Sequence, residues 1–348
     1  MASKSKNDNS KSDAVNSESK KLGSYEKDFL NDALERMLLI RRFEEKSAQM
    51  YGLRKIGGFC HLYNGQEAVA VAAAMASDLS RDYMLTAYRD HGHALACGMD
   101  PKVIMAELYG KITGCSRGKG GSMHMFDVEK HMLGGNGIVG AQIPIATGVA
   151  FAEMYKKKVL QRDDSGVALC FFGDGAVHQG AFHESLNLAG VWKLPAVYMI
   201  ENNRFGMGSA VHRVSAVEDF EIKAVGYNMD GMKIDGMSFV ECYQGIGKAI
   251  ERARTDSVPT LIDIKTYRYK GHSMSDPAKY RTKDELEKFK AQDPIELLKA
   301  SMKEADMLTD EEYQSLDKRL REQVQEAVDF AENSDEPALE TIYEDIYA

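Results

Sequence analysis

Two short polar motifs, each following an apolar run, could together hold a metal ion. Asp174 stands between two glycines in FFGDGA, directly after the apolar segment GVALCFF. Asn203 belongs to IENNRFG, which continues the next apolar segment, AVYMIE. A carboxylate and an amide oxygen suit Mg²⁺, which completes its coordination with phosphate and water. The pair predicts a metal–diphosphate anchor, although Asp-Gly is also common in simple turns.

Such an anchor requires the two motifs to meet at one edge of a sheet. The apolar segments 166–172 and 196–201 are short and continuous, which is typical of strands buried on both faces. Helical spacing of Phe182, Leu186 and Ala189 predicts a helix between them. A right-handed crossover of this kind brings both strand ends to the same edge, where open α/β sheets bind ligands. Gly175 allows a phosphate to approach the backbone, and a following helix start favours negative charge.

The rest of the chain predicts an α/β fold: a mostly parallel sheet sandwiched by helices, with a helical C-terminal part from about residue 283. The glycine-rich segment 110–140 is interpreted as a long functional loop because apolar residues are interspersed in it. We predict one large domain, residues 25–348, preceded by a disordered polar tail, residues 1–24. The other predicted elements are helices over 26–50, 64–77 and from Asp100, and strands over 83–88 and 260–268.

Composition limits the functional class. Of 348 residues, 44% are apolar and 28% charged, and the net charge is −9, so no basic surface indicates nucleic acid or anionic membrane as a partner. Five cysteines form no CxxC pair, which favours reduced, buried thiols. No run approaches transmembrane length, and the N-terminal segment lacks the apolar core of a secretory signal. We therefore expect a cytoplasmic protein.

Rival motifs fail in detail. The segment from Gly114 to Lys119 has one residue too few for a phosphate-binding NTPase loop. There is no HExxH, and His178 and His183 are too far apart around a helix to share a zinc ion. GNGIVG lacks the spacing of a dinucleotide fingerprint.

Several longer motifs carry a family resemblance. GDG followed by NN is the signature of thiamine diphosphate enzymes. GGFCHLYNGQEA, TAYRDHGH, GKGGSMHMF, GGNGIVGAQIP, ENNRFGMGS and YRYKGHSMSDPAKYRT all resemble the α subunits of 2-oxoacid dehydrogenase E1 components, those of pyruvate dehydrogenase above all. The resemblance runs from about residue 25 to the C-terminus.

The resemblance implies a set of cofactor contacts. In such proteins Mg²⁺ is held by the Asp of GDG, an Asn of NN and a backbone carbonyl two residues on, which correspond to Asp174, Asn203 and Phe205. Many relatives have Tyr at the last position, but only its carbonyl is needed. The other implied contacts are Gly173, Gly175 and Ala176 at the diphosphate, Tyr88 and Arg89 through their side chains, and Gly137 and Val139 along the aminopyrimidine and the middle of the cofactor. Taken alone, Arg89 has a surface salt bridge as its alternative, although a guanidinium suits a diphosphate oxygen.

Two histidines are implied to be catalytic. His61 and His272 correspond to imidazoles that face the thiazolium, and His272 also contacts the cofactor. Singly, His61 fits a hydrogen-bonded core residue and His272 a solvated loop residue. A neutral imidazole can donate to a developing oxyanion or move a proton near pH 7. Ser273, Ser275 and Tyr280 share the loop of His272, which the resemblance implies closes over substrate.

The implied activity is decarboxylation of pyruvate with thiamine diphosphate and Mg²⁺, followed by acetyl transfer to the lipoyl group of an E2 component. A β subunit would supply the carboxylate for the pyrimidine nitrogen, so we expect an α2β2 heterotetramer that is inactive as α alone. Alternatives are branched-chain 2-oxoacid or acetoin dehydrogenase, or a non-catalytic cofactor-binding scaffold. Ala210 and Lys279 replace serines of kinase-regulated relatives and only Ser273 is retained, which favours a bacterial-type enzyme without that control.

Overall fold

A six-stranded parallel sheet organises the chain, and the computed structural model describes Val15 and residues 18–344. The strands lie in the order β2-β1-β3-β4-β8-β7, and a separate antiparallel hairpin is formed by β5 and β6. Their bounds are β1 Tyr83–Ala87, β2 Met132–Asn136, β3 Ala168–Gly173, β4 Ala196–Asn202, β5 Phe205–Gly206, β6 Ser209–Ala210, β7 Asp230–Asp235 and β8 Thr260–Lys265.

Helices precede, connect and follow these strands. The α-helices are α1 Lys27–Gly52, α2 Glu67–Ala76, α3 His91–Ala96, α4 Pro101–Leu108, α5 Gln142–Lys158, α6 Gly180–Trp192, α7 Val211–Val214, α8 Phe239–Asp256, α9 Lys283–Lys290, α10 Pro294–Glu304 and α11 Asp310–Asn333. Short 3₁₀ helices cover Gly121–Met123, Asp174–His178, Phe220–Tyr227 and Leu339–Tyr343.

Alternate residues of the central strands face opposite sides of the sheet. On β3, Leu169 and Phe171 enter the core beneath α1, α2 and α8. Cys170 and Phe172 enter a second core beneath α5 and α6. Because both faces are covered, the central strands must be apolar throughout, which is why they are recognisable as continuous hydrophobic runs.

The structure confirms the predicted fold class, with differences at several elements. The predicted strand over 260–268 ends at Lys265, and the predicted loop over 110–140 contains strand β2 and a 3₁₀ helix. Sequence reasoning did not identify α5, β7 or α8. The helix expected directly after Asp174 begins only at Gly180, because residues 174–178 first form a 3₁₀ turn.

The predicted polar tail lies mostly outside the described residues. Its described end packs on the domain: Leu22 is buried, and the Glu18 carboxylate accepts hydrogen bonds from the Ser238 hydroxyl and the Val240 N–H. We expected disorder up to residue 24, but the described residues 18–24 are packed against the domain. The division into tail and single domain otherwise stays a prediction.

The thiols and the hydropathy of the helices match two simple expectations. Cys60, Cys97, Cys170 and Cys242 are buried, Cys115 is partly buried, and all five are free. Burial raises the pKa of each thiol, which keeps them protonated and unreactive.

Among Val15 and residues 18–344, no helix has the length and apolar character needed to cross a membrane.

Candidate active site

Three neighbouring parallel strands end beside one another at the candidate site. Gly173 of β3 pairs in register with Glu201 of β4, and Asn202 of β4 pairs with Lys265 of β8. The chain segments leaving these strands carry Asp174, Asn203 and Arg268. The predicted convergence of the two motifs is therefore observed, and β8 contributes a third polar side chain.

A cavity of about 350 Å³ opens at this edge of the sheet. It is bounded by residues at the ends of β1 and β3, by Asn203 just after β4, by the hairpin and by the segment after β8. Of the predicted cofactor-binding residues, the cavity is lined by Tyr88, Val139, Gly173, Asp174, Gly175, Ala176, Asn203, Phe205 and His272.

The three predicted metal ligands present oxygens suited to a divalent cation. Asp174 is only 4% exposed, and burial raises its pKa to about 6 despite the opposing charge of Arg268. Asn203 donates its Nδ2 hydrogen to Gln66 Oε1 at 3.1 Å, which turns Oδ1 the other way. That Oδ1 and the Phe205 carbonyl both accept hydrogen bonds from Arg268. Oxygen ligands gathered around one positive charge fit Mg²⁺, which binds oxygen almost exclusively.

Two glycines keep the backbone close beside the carboxylate. A Cβ placed on Gly206 would lie 3.3 Å from the Gly175 Cα and 3.8 Å from Asp174 Oδ2. Side chains at either position would fill the space between the 3₁₀ turn and the hairpin. This part of the cavity therefore favours a ligand that contacts backbone N–H groups, such as a phosphate.

The two predicted catalytic histidines lie together with Tyr88. The His61 and His272 ring centroids are 5.0 Å apart, and Tyr88 is 4.6 Å from His61. His61 Nδ1 lies 2.8 Å from the His272 carbonyl, so it carries the proton and Nε2 is left with a lone pair. Burial, then the Arg89 charge, lowers the pKa of His61 to about 3 and that of His272 to about 4. Both rings are neutral at pH 7.

Three predicted residues do not line the cavity: His61, Arg89 and Gly137. His61 instead contacts His272, which does. The Arg89 guanidinium is buried and donates to the Leu62 carbonyl at 2.6 Å and the His272 carbonyl at 2.8 Å. A surface salt bridge, the alternative for Arg89, is wrong. A Cβ on Gly137 would lie 3.3 Å from His124 Nε2, so this glycine packs against a side chain.

A buried polar relay supports the backbone of His61. The His61 N–H donates to Ser122 Oγ at 3.0 Å, and that hydroxyl lies 2.8 Å from His91 Nε2. His91 Nδ1 contacts the Glu44 carboxylate, which also accepts from the Tyr63 N–H at 2.7 Å. Burial of the Glu44, His91 and Ser122 side chains excludes contact with substrate. Their arrangement instead fixes the segment that carries His61.

The glycine-rich loop before Ser122 is built around a second buried carboxylate. Glu107 Oε2 accepts from the Ser116 and Gly118 N–H groups at 2.8 and 2.9 Å. Glu107 Oε1 accepts from the Gly120 and Gly121 N–H groups at 2.8 and 2.9 Å. The protein's own carboxylate thus occupies the position that a phosphate takes in a nucleotide-binding loop.

Sequence reasoning missed Arg268 and Gln66, both of which contact Asn203. They stand in the quoted motifs YRYKGHSMSDPAKYRT and NGQEA, but those motifs do not indicate a role at the metal ligands. Their partners come from distant segments, and nothing in the local spacing indicated which residues they would meet.

Known proteins match the chain over nearly its whole length. It matches the family described as dehydrogenase E1 component over residues 35–340. It is 47% identical, over 94% of its length, to a protein of Rickettsia bellii, of which 99% is covered. The chain belongs to the dehydrogenase E1 component family. Membership confirms the resemblance found in its motifs and implies the use of thiamine diphosphate.

Three relatives of this chain carry the same protein name. The Rickettsia bellii protein is named pyruvate dehydrogenase E1 component subunit alpha. So are a Rhizobium meliloti protein, 49% identical over 90% of this chain and 88% of its own, and a Zymomonas mobilis protein, 46% identical over 89% of this chain and 86% of its own.

Proposed function

We propose that this chain is the α subunit of a pyruvate dehydrogenase E1 component. With thiamine diphosphate, Mg²⁺ and a β subunit, it decarboxylates pyruvate and passes the acetyl group to the lipoyl group of an E2 component. The observation that carries the proposal is the single cavity at which Asp174, Asn203 and Phe205 meet, beside a pair of neutral histidines.

Each side chain has a distinct task in this proposal. The Asp174 carboxylate, the Asn203 amide oxygen and the Phe205 carbonyl hold Mg²⁺, and Gly175 and Ala176 approach the diphosphate through their backbone. The bound cofactor supplies the electron sink for loss of CO₂.

The two histidines would handle protons beside the metal ligands, since His272 lines the cavity and His61 contacts His272. Because His61 Nδ1–H is engaged by the His272 carbonyl, His61 Nε2 can only accept a proton or a hydrogen bond. The His272 Nδ1 is buried and has no partner, which leaves it available to a ligand. A lowered pKa keeps both rings neutral, so neither repels the cationic ring of the cofactor at pH 7.

An exposed apolar surface beside the cavity supports a β partner. Val139 lines the cavity and is 42% exposed, and the preceding residue, Ile138, is 76% exposed. The apolar surface continues over α5 and α6, where the Phe151 and Trp192 rings lie 5.3 Å apart. We call the group that lies on these two helices the α5/α6 face. It consists of Ile145, Phe151, Tyr155, Leu188, Val191 and Trp192, all at least 38% exposed. Contiguous apolar surface of this kind marks protein interfaces.

The β subunit is tested by charging this face. Trp192→Asp should abolish co-purification with the β chain. Leu53→Asp, which alters an even more exposed apolar residue just after α1, is the control and should leave co-purification intact. Equal recovery of the β chain with both variants would contradict an interface at the α5/α6 face.

The substrate is tested with the assembled enzyme. The α–β pair should decarboxylate pyruvate far faster than 2-oxoisovalerate, and should turn over pyruvate far faster than it cleaves acetoin. A preference for 2-oxoisovalerate would replace pyruvate by a branched-chain substrate and leave the rest of the proposal standing.

Calorimetry of cofactor binding tests whether the chain has the metal site of an enzyme subunit or serves only as a scaffold. Titration of the α–β complex with thiamine diphosphate should show binding that requires Mg²⁺. Asp174→Ala should fold and assemble but lose the Mg²⁺-dependent binding of thiamine diphosphate, because one anionic ligand is removed. Metal-independent binding of thiamine diphosphate by both the wild type and Asp174→Ala would contradict the proposed metal site.

A further inference from the structure

Arg268 contacts two of the three oxygens assigned to the metal. It lies three residues beyond β8, and its side chain is among the largest that are fully buried. One nitrogen, Nη1, donates to Asn203 Oδ1 at 3.0 Å and to the Phe205 carbonyl at 2.7 Å. A single cationic atom thus bridges the same pair of oxygens that the proposed Mg²⁺ would bridge.

The two cations compete for this position. Mg²⁺ binds its oxygens at about 2.0–2.1 Å and demands a near-ideal octahedral arrangement. A metal bound by the same two oxygens would lie close to this guanidinium nitrogen, and two positive charges at such close range repel strongly in a buried site.

The ligand oxygens stay in place whichever cation is present. Gln66 holds the Asn203 Nδ2, so the amide cannot turn its oxygen away. The Phe205 carbonyl is fixed by its position in the β5–β6 hairpin. Arg268 therefore meets a preformed oxygen pair, as a metal would.

The remaining hydrogen bonds of Arg268 lead to the loop of His272. Its Nη2 donates to the Met207 carbonyl at 2.6 Å and to the Tyr280 hydroxyl at 2.7 Å. The Tyr280 hydroxyl donates to Asp276, whose carboxylate also accepts from the His272 N–H. Displacement of the guanidinium would therefore disturb the hydrogen bonds of the loop segment that carries His272.

We propose that Arg268 is an internal counter-ion of the metal site: it holds the Asn203 and Phe205 oxygens when no divalent cation is bound, and the metal displaces it. This inference rests on the proposed metal site. If Arg268 acts in this way, the measured metal affinity reflects competition between Mg²⁺ and the guanidinium for the same oxygens. Removing the guanidinium should therefore strengthen metal binding.

The test measures metal binding by the α–β complex without thiamine diphosphate. Mn²⁺ is titrated with detection of the free ion by electron paramagnetic resonance, and Mg²⁺ by calorimetry. Arg268→Met keeps an apolar stem and removes the charge, and it should bind Mn²⁺ at least tenfold more tightly than the wild type. Arg268→Lys keeps the charge and should lie between the two. Unchanged or weaker binding by Arg268→Met would show that Arg268 supports the metal from outside, and would overturn the proposal.

A milder variant covers the case in which Arg268→Met does not assemble. Tyr280→Phe removes one acceptor of Arg268 without touching a ligand oxygen, so Mn²⁺ binding should become a few-fold tighter; no change would count against displacement. If the wild type binds no metal even with thiamine diphosphate, the proposed function fails. If it does bind and Arg268→Met brings no gain, only this inference fails.

Discussion

Replacing Glu107 by glutamine tests whether one carboxylate organises the glycine-rich loop. The side chain is fully buried and accepts hydrogen bonds from the N–H groups of Ser116, Gly118, Gly120 and Gly121. Glutamine has nearly the same shape but only one acceptor oxygen. Its NH₂ group must face two of these N–H groups, donor against donor.

The size of the effect follows from the hydrogen bonds lost. A hydrogen bond to a charged group contributes about 1.5–3 kcal/mol, so losing two lowers the free energy of unfolding by about 3–6 kcal/mol. Relaxation of the loop favours the lower end of this range. At about 2 °C per kcal/mol, the expected fall in melting temperature is about 6 °C.

The assay compares thermal unfolding of the α–β complex carrying Glu107→Gln with that of Glu153→Gln. Glu153 is a suitable control because its buried carboxylate accepts from a single backbone N–H, that of Gly166, at 2.8 Å, and otherwise only from the Lys156 ammonium, at 2.7 Å. Its replacement should lower the melting temperature by less than half as much. Hydrogen exchange should also quicken over residues 116–121 in Glu107→Gln alone. Equal melting shifts, with no local change in exchange, would refute the idea that this carboxylate holds the loop.

Three further predictions concern the segment around His61. Burial lowers the pKa of His61 to about 3, so between pH 6.5 and 3 the unfolded chain binds a proton that the folded chain does not. Stability is therefore lost as pH falls below about 6.5, and His61→Gln should show a shallower fall in urea midpoint than the wild type; parallel curves would contradict the lowered pKa. Ser122→Ala leaves the His61 N–H without its acceptor, so turnover with pyruvate should fall about tenfold while thiamine diphosphate affinity, measured by calorimetry, stays within about twofold. An equal loss of both would indicate a general structural defect. Gly92→Ala places a methyl group 2.2 Å from the buried Tyr63 ring and should lower the urea midpoint strongly; a wild-type midpoint would show that this ring can move.

The central sheet was predictable because its strands are buried on both faces. Continuous apolar runs identified β3 and β4, and the handedness of crossovers then placed Asp174 near Asn203. By contrast, α5 was missed because Ile145 and Phe151 are exposed apolar residues that blur its helical stripe.

Other omissions had a readable signal. Helix α8 begins after Ser238, whose hydroxyl accepts from the Glu241 N–H, and Ser-x-x-Glu before an amphipathic run is a recognised helix start. The contacts of Arg268 and Gln66 had no such signal, because they depend on how β8 and α2 pack beside β4. Local pattern predicts elements; it does not predict which buried side chains from separate elements share a partner.

One peptide group links proton chemistry to loop geometry. The carbonyl of His272 receives hydrogens from both the imidazole of His61 and the guanidinium of Arg89. If that peptide swings outward, His61 is free to exchange tautomers and Arg89 to turn toward an anion. The position of this one peptide therefore selects which nitrogen of the His61 ring is basic, so a shift of the His272 peptide would change the proton chemistry of His61.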